Sequence, residues 1–212
     1  MKIGIIGRSE LMFNTAKLLI ENNYEISFII TAPEAPEYKK NADDFKKLAE
    51  NINSGYLCTS KINNEITHKF LNKYQDVSLC LSVNYSGVIS SEVIDKFKIG
   101  ILNAHGGDLP KYRGNACQAW AILNNEKKIG LCIHKMIGGE LDSGDIIKRA
   151  YLDIDITTKI GECYKWMEEK IPELFLDAVK ELKSNENYTL EVQSKDPSHA
   201  LRCYPRQPSD GQ

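Results

Sequence analysis

With 212 residues, 42% hydrophobic and 26% charged, the chain has the size and mix of one globular domain with a full core, which excludes a disordered or fibrous polypeptide. Its 27 basic and 29 acidic side chains leave a formal charge of -2, and no segment gathers the positive ones into a stripe, so nucleic acid is not an expected partner. No apolar run approaches the ~20 residues that span a bilayer, and the first run, 3–6, is too short for a secretory leader; the expectation is a cytoplasmic protein without membrane contact.

In chain order, the run 3–6 reads as a first strand. Residues 11–20 have helical spacing, with Leu11, Thr15, Leu18 and Leu19 on roughly one face. Residues 25–31 read as a strand, Pro33 and Pro36 as a loop, and Asp43 or Asp44 as the cap of a helix carrying Phe45, Leu48, Ala49 and Ile52. A short strand at 56–58, a helix over 63–73, an apolar strand over 77–83, a helix over 91–97 and a strand over 99–104 follow. Two more strand-like runs, 128–137 and 146–154, flank the glycine-rich stretch 138–145, and a long helix fits 160–182. Alternating strands and amphipathic helices predict an α/β fold: a doubly wound, mostly parallel sheet. A boundary is expected at 184, followed by a short C-terminal extension over 185–212 that includes a small antiparallel piece. The six cysteines show no C-x-x-C pair and no ligand spacing, which predicts reduced thiols and no metal.

In such sheets ligands bind beyond the carboxyl ends of the strands, which directs attention to three loops: Gly7-Arg8-Ser9-Glu10, the stretch from Ser82 to Gly87, and Asn103-Ala104-His105. Asn103 and His105 are two apart at a strand end, so their side chains share a face. An amide donor beside a titratable imidazole can polarise a carbonyl and hold the oxyanion that forms on nucleophilic attack. The same pair also suits a strand end bonded to nearby backbone. Asp142, in a loop bounded by glycines, can pair with His105 and raise its pKa, accept a proton, or simply make an Asx turn. A dinucleotide-binding module fails because Gly4 and Gly7 do not make G-x-G-x-x-G and Thr31 ends the second strand without an acidic residue. Two other readings stand beside these: a non-enzymatic binding domain, and a metal hydrolase built on His105, His134 and Asp142. In the second, His134 competes with an ordinary strand residue bonded locally.

The stretch Asn103-Ala-His105-Gly-Gly-Asp-Leu109-Pro110-Lys-Tyr112-Arg113-Gly114, followed by Leu141-Asp142-Ser143-Gly144, resembles the folate-dependent formyltransferases. The resemblance runs with lower specificity from Met1 to about Ile156. It implies the formyltransferase version of the fold, 10-formyltetrahydrofolate as co-substrate, no metal, and Asn103, His105 and Asp142 as the catalytic set. By correspondence it puts Val83, Asn84, Tyr85, Gly138, Glu140 and Leu141 near the pteridine. It also implies direct transfer to an unprotonated primary amine, with Asn103 and a protonated His105 holding the oxyanion and Asp142 keeping His105 charged.

Among the family's branches, Tyr112-Arg113-Gly114-Asn115-Ala116-Cys117, Trp120-Ala121-Ile122-Leu123-Asn124, Gly7–Leu11 and Glu34–Tyr38 are similar to enzymes that formylate nucleotide-linked amino sugars, with dTDP-4-amino-4,6-dideoxyglucose the expected acceptor. That branch implies Arg8, Ser9, Glu10, Tyr38, Arg113 and Trp120 as substrate-binding residues, a role in lipopolysaccharide O-antigen biosynthesis, and a homodimer. Tyr204-Pro205-Arg206 resembles the same branch, whose members continue past the point where this chain stops. Two alternatives stay open: the glycinamide ribonucleotide branch, whose glycine- and serine-rich phosphate loop is replaced here by Arg8-Ser9-Glu10, and the methionyl-tRNA branch, which adds a basic C-terminal domain.

Overall fold

The structure is a computed structural model and describes residues 1–203. Its sheet begins with β1 (Lys2–Gly7), which pairs in parallel with β2 (Glu25–Thr31) on one side. Gly4 lets the Phe28 ring lie across β1, since a Cβ there would sit 2.7 Å from Phe28 Cε1. Between these strands runs α1 (Ser9–Glu21), whose buried face is Met12, Thr15, Ala16 and Leu19, with Leu11 and Leu18 half-buried at its margins. Next come α2 (Ala42–Asn51), β3 (Gly55–Cys58), α3 (Glu65–Leu71), β4 (Leu79–Val83), α4 (Ser91–Ile94) and β5 (Gly100–His105). The chain continues through β6 (Tyr112–Gly114), α5 (Cys117–Leu123), β7 (Lys128–Lys135), β8 (Ile146–Asp153), α6 (Ile160–Ser184) and β9 (Leu201–Cys203).

Seven strands form one sheet in the order β3-β2-β1-β4-β5-β7-β8. The first five are parallel, whereas β7 runs antiparallel to both β5 and β8, so the sheet is doubly wound and mostly parallel. Side chains alternating along the strands feed two cores. Ile3, Ile5, Leu79 and Leu81 pack under α1, α2 and α6 through Met12, Phe45 and Phe175. Ile6, Phe28, Ile30 and Ile101 pack on the opposite face against Leu71, Val93 and Phe97. Burying each large apolar side chain contributes roughly 1.5–3 kcal/mol, which makes these two layers the main stabilising element.

Three expectations are corrected. Asn41, not Asp43 or Asp44, caps α2: its side chain accepts from the Asp44 amide at 3.0 Å while the Asp44 carboxylate accepts from the Asn41 amide at 3.0 Å, a reciprocal box. The helix expected over 91–97 is a single turn, continued to Phe97 by bonds from the Lys96 and Phe97 amides to the Val93 and Ile94 carbonyls. The C-terminal piece is a parallel pairing of β9 with β6; the antiparallel contact in this region is an isolated bridge between Ile146 and Glu191. Tyr204-Pro205-Arg206 lies outside the described residues.

Strand order reverses between β1 and β4, so the loops leaving their carboxyl ends part there and open a crevice, the position where α/β sheets bind ligands.

Candidate active site

The crevice is a cavity of about 1320 Å³ between the loops after β1, β4 and β5, the turn around Asp142 and one flank of α6. Its floor at the switch point is held by tight backbone. Ser9 and Asn84 both adopt left-handed conformations, φ 69 and 56, and Asn84 Nδ2 donates to Ser9 Oγ at 3.0 Å. Arg8 fastens the same region: Nε donates to the Asn84 carbonyl (2.7 Å), Nη1 to the Pro33 carbonyl (3.0 Å), and the guanidinium lies 5.3 Å from the centre of the Tyr38 ring.

Asn103 and His105 close β5, where the alternation of the strand turns both toward the crevice. Asn103 is the register partner of His134 on β7, and Asn103 Nδ2 stands 3.3 Å from His134 Nε2. His134 Nδ1 faces the Lys135 carbonyl at 2.9 Å, so its Nε2 edge is the one presented to the site. His105, 7% exposed, directs Nε2 to the Tyr112 carbonyl at 2.7 Å; a carbonyl only accepts, so Nε2 carries the proton. Its Nδ1 lies 3.5 Å from Asp142 Oδ2.

Asp142 reaches this position through a left-handed backbone, φ 48. Its Oδ2 also accepts the Gly114 amide at 3.0 Å, and its Oδ1 stands 3.6 Å from His134 Nε2. Burial pushes the Asp142 carboxyl up, but the neighbouring His134, the charge carried by either histidine and the Gly114 amide overcome it and hold the group at about 2. Asp142 is therefore a carboxylate at neutral pH. For His105 the balance goes the other way: burial pushes its pKa below the ordinary imidazole value, aided by His134 and Arg113, against the upward pull of Asp142 and the Tyr112 carbonyl. Burial therefore works against the imidazolium that the resemblance implies, while the nearby carboxylate favours it.

The crevice brings together Asn103, His105 and Asp142 with Ser9, Glu10, Tyr38, Asn84, Tyr85 and Leu141. Val83 is buried in the core, Gly138 packs against Ser91, and Glu140 turns outward to accept from Ser143 Oγ at 2.5 Å. Arg8 lies behind the crevice wall, Arg113 donates to Gln193 Oε1 and the Ser194 carbonyl, and Trp120 packs against the cluster of Tyr112, Cys117 and Ile129. Sequence reasoning left out the α6 flank, Tyr164, Lys165, Met167 and Glu168, whose spacing reads as an ordinary helix face. It also treated His134 as a locally bonded strand residue; its place opposite Asn103 depends on the register of an antiparallel pair that no local motif encodes. His105, His134 and Asp142 do not form a metal-ligand set, and among the described residues no group of three or more His, Cys, Asp or Glu does. All six cysteines are free, and no described helix is long and apolar enough to cross a membrane.

Residues 1–179 match the family model described as formyl transferase. Methionyl-tRNA formyltransferase of Acetivibrio thermocellus is 30% identical over 197 residues, covering 90% of this chain and 61% of the relative. That of Clostridioides difficile is 30% identical over 171 residues, covering 79% and 54%. The chain thus spans 61% and 54% of the lengths of these two relatives. The fold is shared with the N-formyltransferase from Helicobacter canadensis in complex with folinic acid and dTDP-3-aminofucose, at TM-score 0.71 and 19% identity over 95% of this chain and 71% of that one. It is also shared with phosphoribosylglycinamide formyltransferase from Anaplasma phagocytophilum, at TM-score 0.71 and 19% identity over 95% and 98%.

Proposed function

The chain belongs to the formyl transferase family, and from that membership we propose that it moves a formyl group from 10-formyltetrahydrofolate onto the primary amine of a nucleotide-linked amino sugar. The observation that carries the reading is the convergence of Asn103, His105 and the ionised Asp142 at one end of the crevice. At about 1320 Å³ the cavity exceeds the ~300–1,000 Å³ of ordinary ligand pockets, which suits two substrates meeting inside it. In this reading Asn84, Tyr85 and Leu141 hold the pteridine, while Ser9, Glu10 and Tyr38 face the acceptor.

When bound, the folate supplies an activated formyl group. Asn103 donates to the formyl oxygen as negative charge gathers there. His105, neutral and with Nε2–H held on the Tyr112 carbonyl, presents its Nδ1 lone pair 3.5 Å from Asp142 Oδ2. Two acceptors facing each other leave a place for one proton, and the proton released by the attacking amine settles there. His105 then becomes the imidazolium that balances the oxyanion, and Asp142 stabilises it. The same proton passes to the departing folate nitrogen, so the pair returns to its starting state with no net charge change. Acid–base work of this kind contributes typically ~10²–10⁴ in rate.

The sugar acceptor is supported by the flanking residues from Tyr112 to Asn124 and by the likeness to the Helicobacter canadensis fold, whose own ligand is a sugar nucleotide. In this reading the protein acts as a cytoplasmic homodimer in lipopolysaccharide O-antigen biosynthesis. A methionyl-tRNA acceptor is the second reading, favoured by the 30% identity to the Acetivibrio thermocellus relative. Formyl transfer measured in parallel on dTDP-4-amino-4,6-dideoxyglucose, its 3-amino isomer, glycinamide ribonucleotide and methionyl-tRNA separates these readings. Turnover confined to an amino sugar supports the proposal, and turnover confined to either of the last two replaces the acceptor.

A further inference from the structure

The segment that follows α6 returns beside β6 and the Asp142 turn, and Gln193 is one of its points of attachment. Although it sits among loops rather than in a helix or strand, it is 3% exposed. Its Nε2 donates to the Asp142 carbonyl at 2.9 Å and to the Gly144 carbonyl at 2.6 Å, while its Oε1 accepts from Arg113 Nη2 at 3.1 Å. One amide group therefore ties together the Asp142 turn, β6 and the returning segment. Both ends of this arrangement matter to the site. Asp142 holds a left-handed backbone, which a non-glycine residue keeps only where its surroundings fix it, and the Gln193 donor lands on that residue's own carbonyl. Arg113 immediately precedes Gly114, whose amide binds the Asp142 carboxylate.

We propose that Gln193 is a positioning residue: by clamping the Asp142 and Gly144 carbonyls to β6, it sets where the Asp142 carboxylate stands between His105, His134 and the Gly114 amide. The segment beyond α6 then belongs to the active site rather than to an appendage. Without the clamp the buried Gly144 carbonyl and the half-buried Asp142 carbonyl lose their donor, the left-handed turn relaxes, and the carboxylate leaves the groups that hold it ionised. Its catalytic consequence rests on the formyl-transfer reading, but its structural content does not.

The test uses Gln193→Met, which keeps the length and packing but has no amide, with Gln193→Ala as a second variant. The Asp142 carboxyl is followed by carbon NMR against pH, assigned by its loss in Asp142→Asn. In folded Gln193→Met the carboxyl is expected to titrate higher, toward the ordinary carboxylate range, as it parts from His134, His105 and the Gly114 amide. With transfer assays, kcat is expected to fall on the order of 10²-fold, as for a reacting group displaced by about 1 Å, with KM little changed. A carboxyl titration identical to wild type in either folded variant overturns the proposal, whatever the activity. A raised titration with unchanged kcat upholds the role of Gln193 and instead removes Asp142 from the chemistry.

Discussion

Replacing Asp142 by Asn removes the charge that the site is built to hold while keeping the shape and an oxygen for the Gly114 amide. The Asp142 side chain is 11% exposed, so solvent screens it little. Its carboxyl is held at about 2 against an ordinary 3.8, and at about 1.4 kcal/mol per pH unit the ionised form stabilises the fold by about 2 kcal/mol. A carboxylate with a depressed folded-state pKa contributes fully above its unfolded value and loses that contribution as pH falls through the folded one. The stability difference between wild type and Asp142→Asn is therefore expected to carry a pH-dependent part of about 2 kcal/mol at pH 7, of which roughly half is gone by pH 3. Urea unfolding of both proteins between pH 7 and pH 3 measures it, and taking the difference cancels the other acidic groups. A difference that stays flat across that range would refute the claim that the groups around Asp142, His134 and the Gly114 amide among them, hold it ionised.

Two further outcomes follow from the same geometry. Because burial lowers the His105 pKa, the acid limb of kcat/KM lies below the ordinary imidazole value of 6.5, and His105→Ala retains the fold while losing ~10²–10⁴ in kcat; a limb above 6.5 contradicts the neutral resting ring. Arg149, with its side chain 11% exposed, donates to Asp108 Oδ1 at 2.6 Å, the Leu109 carbonyl at 2.8 Å and Glu191 at 2.8 Å, so Arg149→Met leaves Asp108 with the Tyr151 hydroxyl as its donor and is expected to cost about 1–3 kcal/mol, read by urea midpoint; a cost within ~0.5 kcal/mol would show the pair to be dispensable.

The strands and long helices were legible because burial imposes a period. The run 79–83 is buried on both faces and is apolar except for Ser82, and Met12, Ala16 and Leu19 recur at helical spacing. Where the period is ambiguous the reading slips: Val93, Ile94 and Phe97 fit a helix, yet successive turns bury them equally well. The three-residue strands β6 and β9 are too short to show any alternation, and their pairing joins residues far apart in the chain. At the site, Asn103 and His105 could be paired from sequence because they lie two apart on one strand, and their motif tied Asp142 to them. His134 and Gln193 reach Asp142 through an antiparallel register and a returning segment, and neither leaves a local mark. The balance at His105 was not legible because burial, invisible in the sequence, works against the carboxylate beside it.

The measurement closest to the central claim is the rate of formyl transfer from 10-formyltetrahydrofolate to the amino-sugar nucleotide, compared between wild type and Asn103→Ala. Wild type is expected to show folate-dependent turnover, and kcat to fall by ~10²–10³ when the oxyanion donor is removed. Wild-type turnover that survives Asn103→Ala unchanged would contradict it.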